Sequence, residues 1–394
     1  MLLRNGLDRD KPLDLNWRTP ETGFLDQLGL DTKMTGKGIA ALESIVLDVV
    51  LEALGLDRAV SYSRRPEWYS RHKSLYGYRV VTNGITILEK AGLVQNQLAP
   101  VNSYGRRQST IRATDELIDT ALPLPVIQQL LHSPIELRDK NKLPIHFMGT
   151  AFTDRMKRNV CTINEMIASA KADISLSEAI RTGPVIKFPD FAANLSAISL
   201  RRIFNGDFEH GGRFYGGWWQ NMPKAYRQNI LIDGSETIEE DYDQLHPRLL
   251  YSLIGSKVVG DAYTLDGWDR NLCKKAFNIL LNARTPAHAV SAVANNIGEQ
   301  FGYRPDAGKY NATCRDMAEQ VISELKLKHK MVCDYLHTGI GLKLQKTDSD
   351  IAEAVMLTLV RQGIHVLPVH DSFIVRKKHH QNLLEAMESE ICKI

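Results

Sequence analysis

The chain has 394 residues, of which 43% are hydrophobic and 24% are charged, a composition typical of a globular protein rather than a disordered one. This length predicts two or three domains. The five cysteines are scattered without a C-x-x-C spacing, which argues against a zinc site or a disulfide framework. No apolar run approaches the roughly 20 residues of a membrane span, so we expect a cytoplasmic protein with no membrane partner.

The N-terminal third divides into two parts. Residues 1–35 are polar and rich in glycine and proline, and we expect a loose lead-in. Residues 36–120 carry apolar positions at helical spacing over 40–54 and again over 78–93, followed by a β-hairpin pattern over 93–114. Because helix, helix and hairpin is the layout of a winged helix-turn-helix, we predict such a module here.

Basic residues concentrate in this predicted module. From Arg58 to Arg112 there are ten arginines and lysines and two glutamates, and ten minus two gives a local charge of +8, against +3 for the whole chain. Such a concentration is typical of a surface that binds phosphates, although a solvated basic face is the alternative. The predicted DNA contacts are Arg79, Arg106, Arg107 and Arg112.

The segment 121–205 carries no recognisable chemistry. It opens with the linker-like string Leu122-Pro123-Leu124-Pro125, and the stretch around 163–180 has helical character. We therefore predict a helical linker or thumb-like region over these residues.

Two acidic residues far apart in the chain stand next to predicted strands. Asp241 follows the apolar run Ile230-Leu231-Ile232, which we expect to be the strand that enters the site. Asp371 lies between two short apolar runs and is predicted at the turn of a hairpin. Two carboxylates at strand ends suit two divalent cations that stabilise the attacking and leaving oxygens of a phosphoryl transfer. Taken alone the pattern is weak, because many hairpin aspartates serve only the turn.

Five segments between residues 212 and 375 resemble, in the same order, the sequence motifs of family A DNA polymerases. Asp241-Tyr242-Asp243-Gln244-Leu245-His246-Pro247-Arg248 resembles motif A, and Val369-His370-Asp371-Ser372 resembles motif C. The other three are Gly212-Arg213-Phe214 followed by Gln220-Asn221-Met222-Pro223, the motif B spacing of Arg270 and Lys274, and Gln345 with Asp350-Ile351.

The resemblance implies an α+β fold for residues 206–394, with a right-hand-like polymerase palm made of an antiparallel sheet with helices. The fingers would be helical and reduced, because only 371 − 241 = 130 positions separate the two aspartates. It also implies template-directed nucleotidyl transfer in replication of a phage or plasmid type, in a bacterial or phage-infected cell. The implied partners are primer–template DNA and nucleoside triphosphates, and the implied cofactor is a pair of Mg²⁺ ions, for which Mn²⁺ can substitute.

The resemblance also assigns roles to individual residues. Asp241 and Asp371 would be catalytic and would bind the metals together with the backbone carbonyl of Tyr242. The residues implied in nucleotide binding are Arg270, Lys274, Asn278, His246 and Gln244. Those implied in primer–template binding are Arg213, Gln345 and His370. Arg270 and Lys274 are also four residues apart, which places them on one helix face where both can approach a triphosphate.

Several positions depart from the family pattern. His246 stands where the family has a glutamate thought to exclude a ribose 2′-hydroxyl, and Asn278 and Asn282 replace the aromatic pair of motif B. The string His370-Asp371-Ser372-Phe373 also resembles motif C of phage-type single-subunit RNA polymerases. Two alternatives therefore stay open: a primase or small RNA polymerase, and a DNA-binding replication initiator whose palm is inactive.

Overall fold

The computed structural model describes residues 10–30, 34–100, 108–130, 133–176, 178–300 and 312–393, and over these the fold is mixed α/β with several sheets. Arg106 and Arg107 lie outside the described residues. The helices are α1 (Phe24–Gln27), α2 (Gly36–Leu54), α3 (Pro66–Arg71), α4 (Tyr78–Lys90), α5 (Asp115–Ala121), α6 (Ala151–Ala168), α7 (Lys224–Arg227), α8 (Leu245–Ser252), α9 (Arg270–Asn282), α10 (Pro286–Gln300), α11 (Ala312–Lys328), α12 (Gly341–Arg361) and α13 (His380–Ile391).

The strands form five sheets. They are β1 (Lys11–Pro12), β2 (Trp17–Arg18), β3 (Val60–Tyr62), β4 (Val94–Gln97), β5 (Ser109–Ala113), β6 (Gln128–Gln129), β7 (Ile135–Arg138), β8 (Pro144–Ile145), β9 (Ala172–Ile174), β10 (Ile180–Thr182), β11 (Val185–Lys187), β12 (Ala192–Asn194), β13 (Arg201–Asn205), β14 (Gly211–Tyr215), β15 (Ile230–Ile232), β16 (Ser235–Asp241), β17 (Leu367–Val369) and β18 (Ser372–Arg376).

The N-terminal unit has its own hydrophobic core. The two predicted helices are present as α2 and α4, and the predicted hairpin as β4 and β5. Helix α4 buries Val81, Ile85 and Leu88, whose spacing places them on one face toward α2. The sequence did not indicate β3 or α3, which lie between the two helices in the chain. The sheet order is β1-β3-β5-β4.

The prediction of a loose lead-in is wrong for residues 10–30. Strand β1 pairs in parallel with β3, and β2 pairs with β6. The physical cause is the fully buried Asp48 on α2, whose carboxylate must find partners in the interior. Lys11 forms an ion pair with it, and the indole Nε1 of Trp17 donates to its Oδ1 over 2.9 Å.

The prediction of a helical linker over 121–205 is also wrong, because most of the elements in this segment are strands. The described residues of this segment hold one long helix, α6, and eight strands, β6 to β13. Helix α6 ends at Ala168 rather than continuing to 180, and its buried stripe of Met156, Val160, Ile163 and Ile167 packs toward α12 and β7. The strands β7 and β13 pair in parallel, within the sheet order β14-β13-β7-β8.

A five-stranded sheet of order β17-β18-β16-β15-β9 forms the centre of the C-terminal part. The run Ile230–Ile232 is a strand, β15, but it does not lead directly to Asp241 as predicted; it turns back into β16, whose last residue is Asp241. The apolar runs around Asp371 form β17 and β18, as predicted. Helices α12 and α13 pack on each other, and α13 also contacts β16 and β18. Among the described residues, no helix is long and apolar enough to cross a bilayer.

Candidate active site

The two predicted catalytic carboxylates lie close together in the fold, Asp241 at the end of β16 and Asp371 in the turn that leads into β18. Strands β16 and β18 are antiparallel with Asp241 opposite Ser372, so Asp371 lies one residue beyond that pair. The amide of Tyr242 donates to the backbone carbonyl of Asp371 at 3.4 Å, which joins the two chain segments beyond the last strand pair. His370 adopts a φ of +59°, which allows the tight turn between β17 and β18.

The electrostatic environment of Asp241 also reflects this convergence. Removal of surrounding water and, second, the negative charge of Asp371 raise the pKa of Asp241 to about 6, although its side chain remains open to solvent. The positive charges of Lys274 and Lys224 act in the opposite direction. Neither Asp241 nor Asp371 forms an ion pair with any described residue of the chain. The site therefore brings together two carboxylates that have no ion-pair partner among the described residues, with the positive charges of Lys274 and Lys224 nearby.

Arg213 and His246, predicted for primer and nucleotide binding, share a partner that sequence reasoning missed. Asp348 on α12 is 2% exposed, and its Oδ2 lies 2.8 Å from His246 Nε2 while it pairs with the guanidinium of Arg213. Burial opposes the charge of Arg213, but hydrogen bonds and the charge of Asp348, followed by the charge of Asp371, raise the pKa of Arg213. Asp348 thus holds Arg213 and His246 beside the turn between β17 and β18.

Helix α9 carries Arg270 and Lys274 on one face, as predicted. The guanidinium carbon of Arg270 lies 5.4 Å and the Lys274 Nζ 5.9 Å from the centre of the Tyr263 ring. Both side chains are exposed, and Arg270 donates to Asp261 Oδ2 over 2.6 Å. The Asp269 side chain caps the helix by accepting from Leu272 N. Lys274 is close enough to Asp241 to affect its pKa.

The remaining predicted nucleotide- and template-binding residues have different surroundings. Gln244 has a φ of +53°, and its side-chain oxygen accepts from the amide of Ala262. It therefore helps to hold the chain between α8 and α9 in place. Asn278 accepts through its backbone carbonyl from the Asn282 side chain. Gln345 lies three residues before Asp348 on α12, hence on the same side of the helix. Burial, then the charge of Arg213, lowers the pKa of His370.

A second hydrogen-bond network that sequence reasoning missed supports the turn between β17 and β18, which contains Asp371. The Ser372 hydroxyl donates to Glu239 Oε1 over 2.8 Å, and Arg227 binds both oxygens of Glu239 at 2.8 and 2.7 Å. Glu239 lies two residues before Asp241 on β16, so both face the same side of the sheet. The two-residue spacing of Glu239 and Asp241 in the sequence could have indicated that their side chains share one face of the strand. Arg227 offsets much of the charge of Glu239, so this carboxylate mainly positions the turn, although it adds a small upward contribution to the pKa of Asp241.

The predicted DNA contacts of the N-terminal unit lie apart from this sheet. Arg79 is exposed near the start of α4. Arg112 is exposed too, but its guanidinium donates to the backbone carbonyl of Asp57 and lies 3.4 Å from Asp57 Oδ1. Arg58, counted in the basic cluster, pairs with Glu52. Because Arg58 and Arg112 each have an acidic partner, the N-terminal unit has fewer unpaired cations than the basic residues counted in its sequence.

The donor set of the site fits a hard divalent cation. Asp241, Asp371 and the Tyr242 carbonyl offer only oxygen, which Mg²⁺ and Mn²⁺ prefer. Loss of water and, second, the charge of Asp371 raise the pKa of Asp241, and a bound cation would offset both effects. Among the described residues no group of three or more His, Cys, Asp or Glu side chains could hold a metal ion.

No protein-family model matches the sequence, and no curated protein is significantly similar to it.

Replacing Asp241 tests the repulsion between the two carboxylates. Because its folded pKa of about 6 is above the unfolded value near 4, the folded state binds the proton more readily, and stability falls as pH rises through 6. Asp241→Asn should raise the Tm of metal-free protein at pH 7 by about 1–3 °C. Mn²⁺ should raise the Tm of the wild type but not of the variant. An identical response of both proteins to pH and Mn²⁺ would contradict this account; exposed Asp266→Asn is the control.

Replacing Asp348 tests its role as the shared anchor. Asp348→Ala should lower the free energy of unfolding by about 1–3 kcal/mol, because Arg213 and His246 lose their buried acceptor. Urea denaturation measures this, with the exposed Asp316→Ala on α11 as the control, expected to change stability by less than about 0.5 kcal/mol. Equal midpoints for the two variants would show that the anchor contributes nothing.

Proposed function

We propose that this chain is a template-directed nucleotidyltransferase of the DNA polymerase type, similar to family A enzymes. The observation that carries the proposal is the pairing of β16 with β18, which aligns Asp241 with Ser372 and leaves both aspartates without an ionic partner in the described chain. Lys274 and Arg213, whose charges act on these aspartates, add positive groups on the same side. Two carboxylates with nearby cations match the needs of phosphoryl transfer.

The cofactor implied by this proposal is Mg²⁺, with Mn²⁺ as a substitute. Asp241, Asp371 and the backbone carbonyl of Tyr242 would hold it. When bound, such ions stabilise the attacking and leaving oxygens of an in-line displacement. The protein keeps the two carboxylates available because Arg227 and Ser372 engage Glu239, and Asp348 engages Arg213, so competing charges already have partners.

The substrates would be a nucleoside triphosphate and a primer–template. Lys274 and Arg270 lie on one face of α9 and would bind the triphosphate oxygens through charge. Arg213, held by Asp348, would contact the primer end, and Gln345 on the same side of α12 would contact the duplex. Gln244 and Asn278 would line the nucleotide site. His370, kept largely uncharged by its lowered pKa, would pack beneath the primer end.

One observation favours an RNA-synthesising enzyme as the second candidate. His246 Nε2 lies 2.8 Å from Asp348 Oδ2 and 3.3 Å from a guanidinium nitrogen of Arg213. With its proton on Nε2, a neutral imidazole donates to Asp348 and has Nδ1 as an acceptor. An acceptor at this position can bind a ribose 2′-hydroxyl instead of excluding it. Primer extension with deoxynucleotides or ribonucleotides separates the two candidates, and the same assay without primer tests de novo initiation.

We further propose that the N-terminal unit is a winged helix-turn-helix that binds duplex DNA. Its element order of α2, β3, α3, α4, β4 and β5 supports this, as does the exposed Arg79 on α4. Such a unit would bring the enzyme to a replication site. If the palm were inactive, the chain would be an initiator that binds DNA and incorporates no nucleotide.

Asp371→Asn tests the proposed chemistry. Removing one of the two carboxylates should lower nucleotide incorporation on a primed template by at least about 100-fold, because charge stabilisation at the reacting phosphoryl group is lost. DNA binding in a mobility-shift assay should stay within about threefold of the wild type. The exposed Asp334→Asn is the control and should keep wild-type incorporation. Incorporation by Asp371→Asn at the wild-type rate would exclude Asp371 as a metal ligand.

Arg79→Ala tests the proposed duplex contact. Loss of one phosphate contact should weaken duplex binding several-fold and reduce the slope of log K against log salt by about 1. The matched control is Lys378→Ala, an exposed cation near the C-terminal helix, which should leave both values unchanged. If Arg79→Ala and Lys378→Ala bind duplex equally well, α4 is not the contacting helix.

A further inference from the structure

A cleft of about 670 Å³ separates the N-terminal unit from the sheet β14-β13-β7-β8. Helix α3 and the turn after it form one wall, and the chain from Pro12 to Asn16 lines another side. The sheet contributes Glu136, Arg201 and Gly216. This cleft belongs neither to the duplex-binding face proposed above nor to the pair of catalytic carboxylates.

An aromatic pair lies in this cleft. Trp68 and His72 are one helical turn apart, and their rings stack with centroids 4.2 Å apart and planes 19° apart. Both rings are only partly buried. The hydrogen bond between His72 Nδ1 and the Trp68 backbone carbonyl, 2.8 Å long, holds the His72 ring in place. A third flat ring can extend such a preformed stack with little loss of conformational freedom.

The chain around the stack is basic. Four exposed cations lie between residues 64 and 73, against the single acidic residue Glu67, and among the described residues none of them takes part in an ion pair. They are Arg64, Arg65, Arg71 and Lys73; Lys73 lines the cleft, and the three arginines lie on the adjoining surface of the same segment.

The carboxylates that line the cleft are already engaged. Glu136 pairs with Arg138 at 2.7 Å and lies 3.6 Å from Arg201. Asp14 accepts from the amide of Asn16. The charge of Glu136 is therefore compensated, and Asp14 is the carboxylate of the cleft that keeps its charge.

Strand β14 runs from the turn that contains Asp371 to the edge of the cleft. Arg213 lies on β14 near Asp371, and Gly216 follows the strand by one residue and lines the cleft. Three residues of strand span about 10 Å. Tyr215 between them lies against His370, with ring centroids 5.6 Å apart. A nucleic-acid strand at the carboxylates would therefore be about 10 Å from the edge of the cleft that Gly216 forms.

We propose that this cleft binds single-stranded nucleic acid, with a base stacked on the Trp68–His72 pair and phosphates held by the neighbouring cations. Stacking requires a base whose faces are open, which a paired and stacked duplex does not offer. Stacking on aromatic rings also tolerates any base, so the site is expected to show little sequence preference. This binding does not depend on the proposed nucleotidyl transfer.

Tryptophan fluorescence of the full-length chain, titrated with single-stranded oligothymidylate, tests the site. The oligonucleotide should quench the wild type, and Trp68→Phe should lose most of the quenching while keeping affinity within about threefold, since phenylalanine still stacks. Trp68→Ala should weaken binding about tenfold in a fluorescence anisotropy assay. Trp268→Phe is the matched control and should retain both quenching and affinity.

The outcomes separate this proposal from the others. Quenching that survives in Trp68→Phe, or unchanged affinity in Trp68→Ala, would overturn it. Equal quenching by a blunt duplex would also overturn it, because the site would then not require an open base. Asp371→Asn should quench as the wild type does, so loss of incorporation with retained quenching would leave this site standing whatever the fate of the enzyme hypothesis.

Discussion

The antiparallel pairing of strand β16 with strand β18 is the constraint on which the rest of the site depends. It brings together Asp241 and Asp371, which are 371 − 241 = 130 positions apart. Strand β18 is buried on both faces, since Phe373, Ile374 and Val375, which point alternately to opposite sides, are all 0% exposed. A slip of one residue would turn Asp241 to the opposite side of the sheet. The hydrophobic core of the strand therefore also fixes the position of the carboxylates.

The balance of charge around that pairing explains why the carboxylates remain available. Arg227 neutralises Glu239, and Asp348 engages Arg213, so nearby groups of both signs are already paired. Asp241 keeps a raised pKa because water is partly excluded and Asp371 lies close. Clustering like charges costs stability unless a cation binds there. The arrangement is therefore better explained by a ligand than by the folding of the sheet alone.

The sequence predicted those parts whose signals are local. Hydrophobic periodicity indicated α2 and α4, two short apolar runs indicated β17 and β18, and four-residue spacing placed Arg270 and Lys274 on one face. It failed where distant partners decide the structure. Residues 10–30 are ordered by the buried Asp48, and Asp348 anchors Arg213 from another helix. No local pattern marks either residue. In 121–205, charged residues at the start of α6 obscured its apolar stripe, and short strands left no period.

The central claim is that Asp241 and Asp371 share divalent cations. Diffraction from crystals grown with Mn²⁺, recorded for its anomalous signal, tests it most directly because the ion is located without reference to activity. We expect anomalous peaks within coordination distance of both carboxylates in the wild type, and their loss in Asp371→Asn. Carboxylates far apart, or no peak at either residue with Mn²⁺ present in excess, would contradict the account.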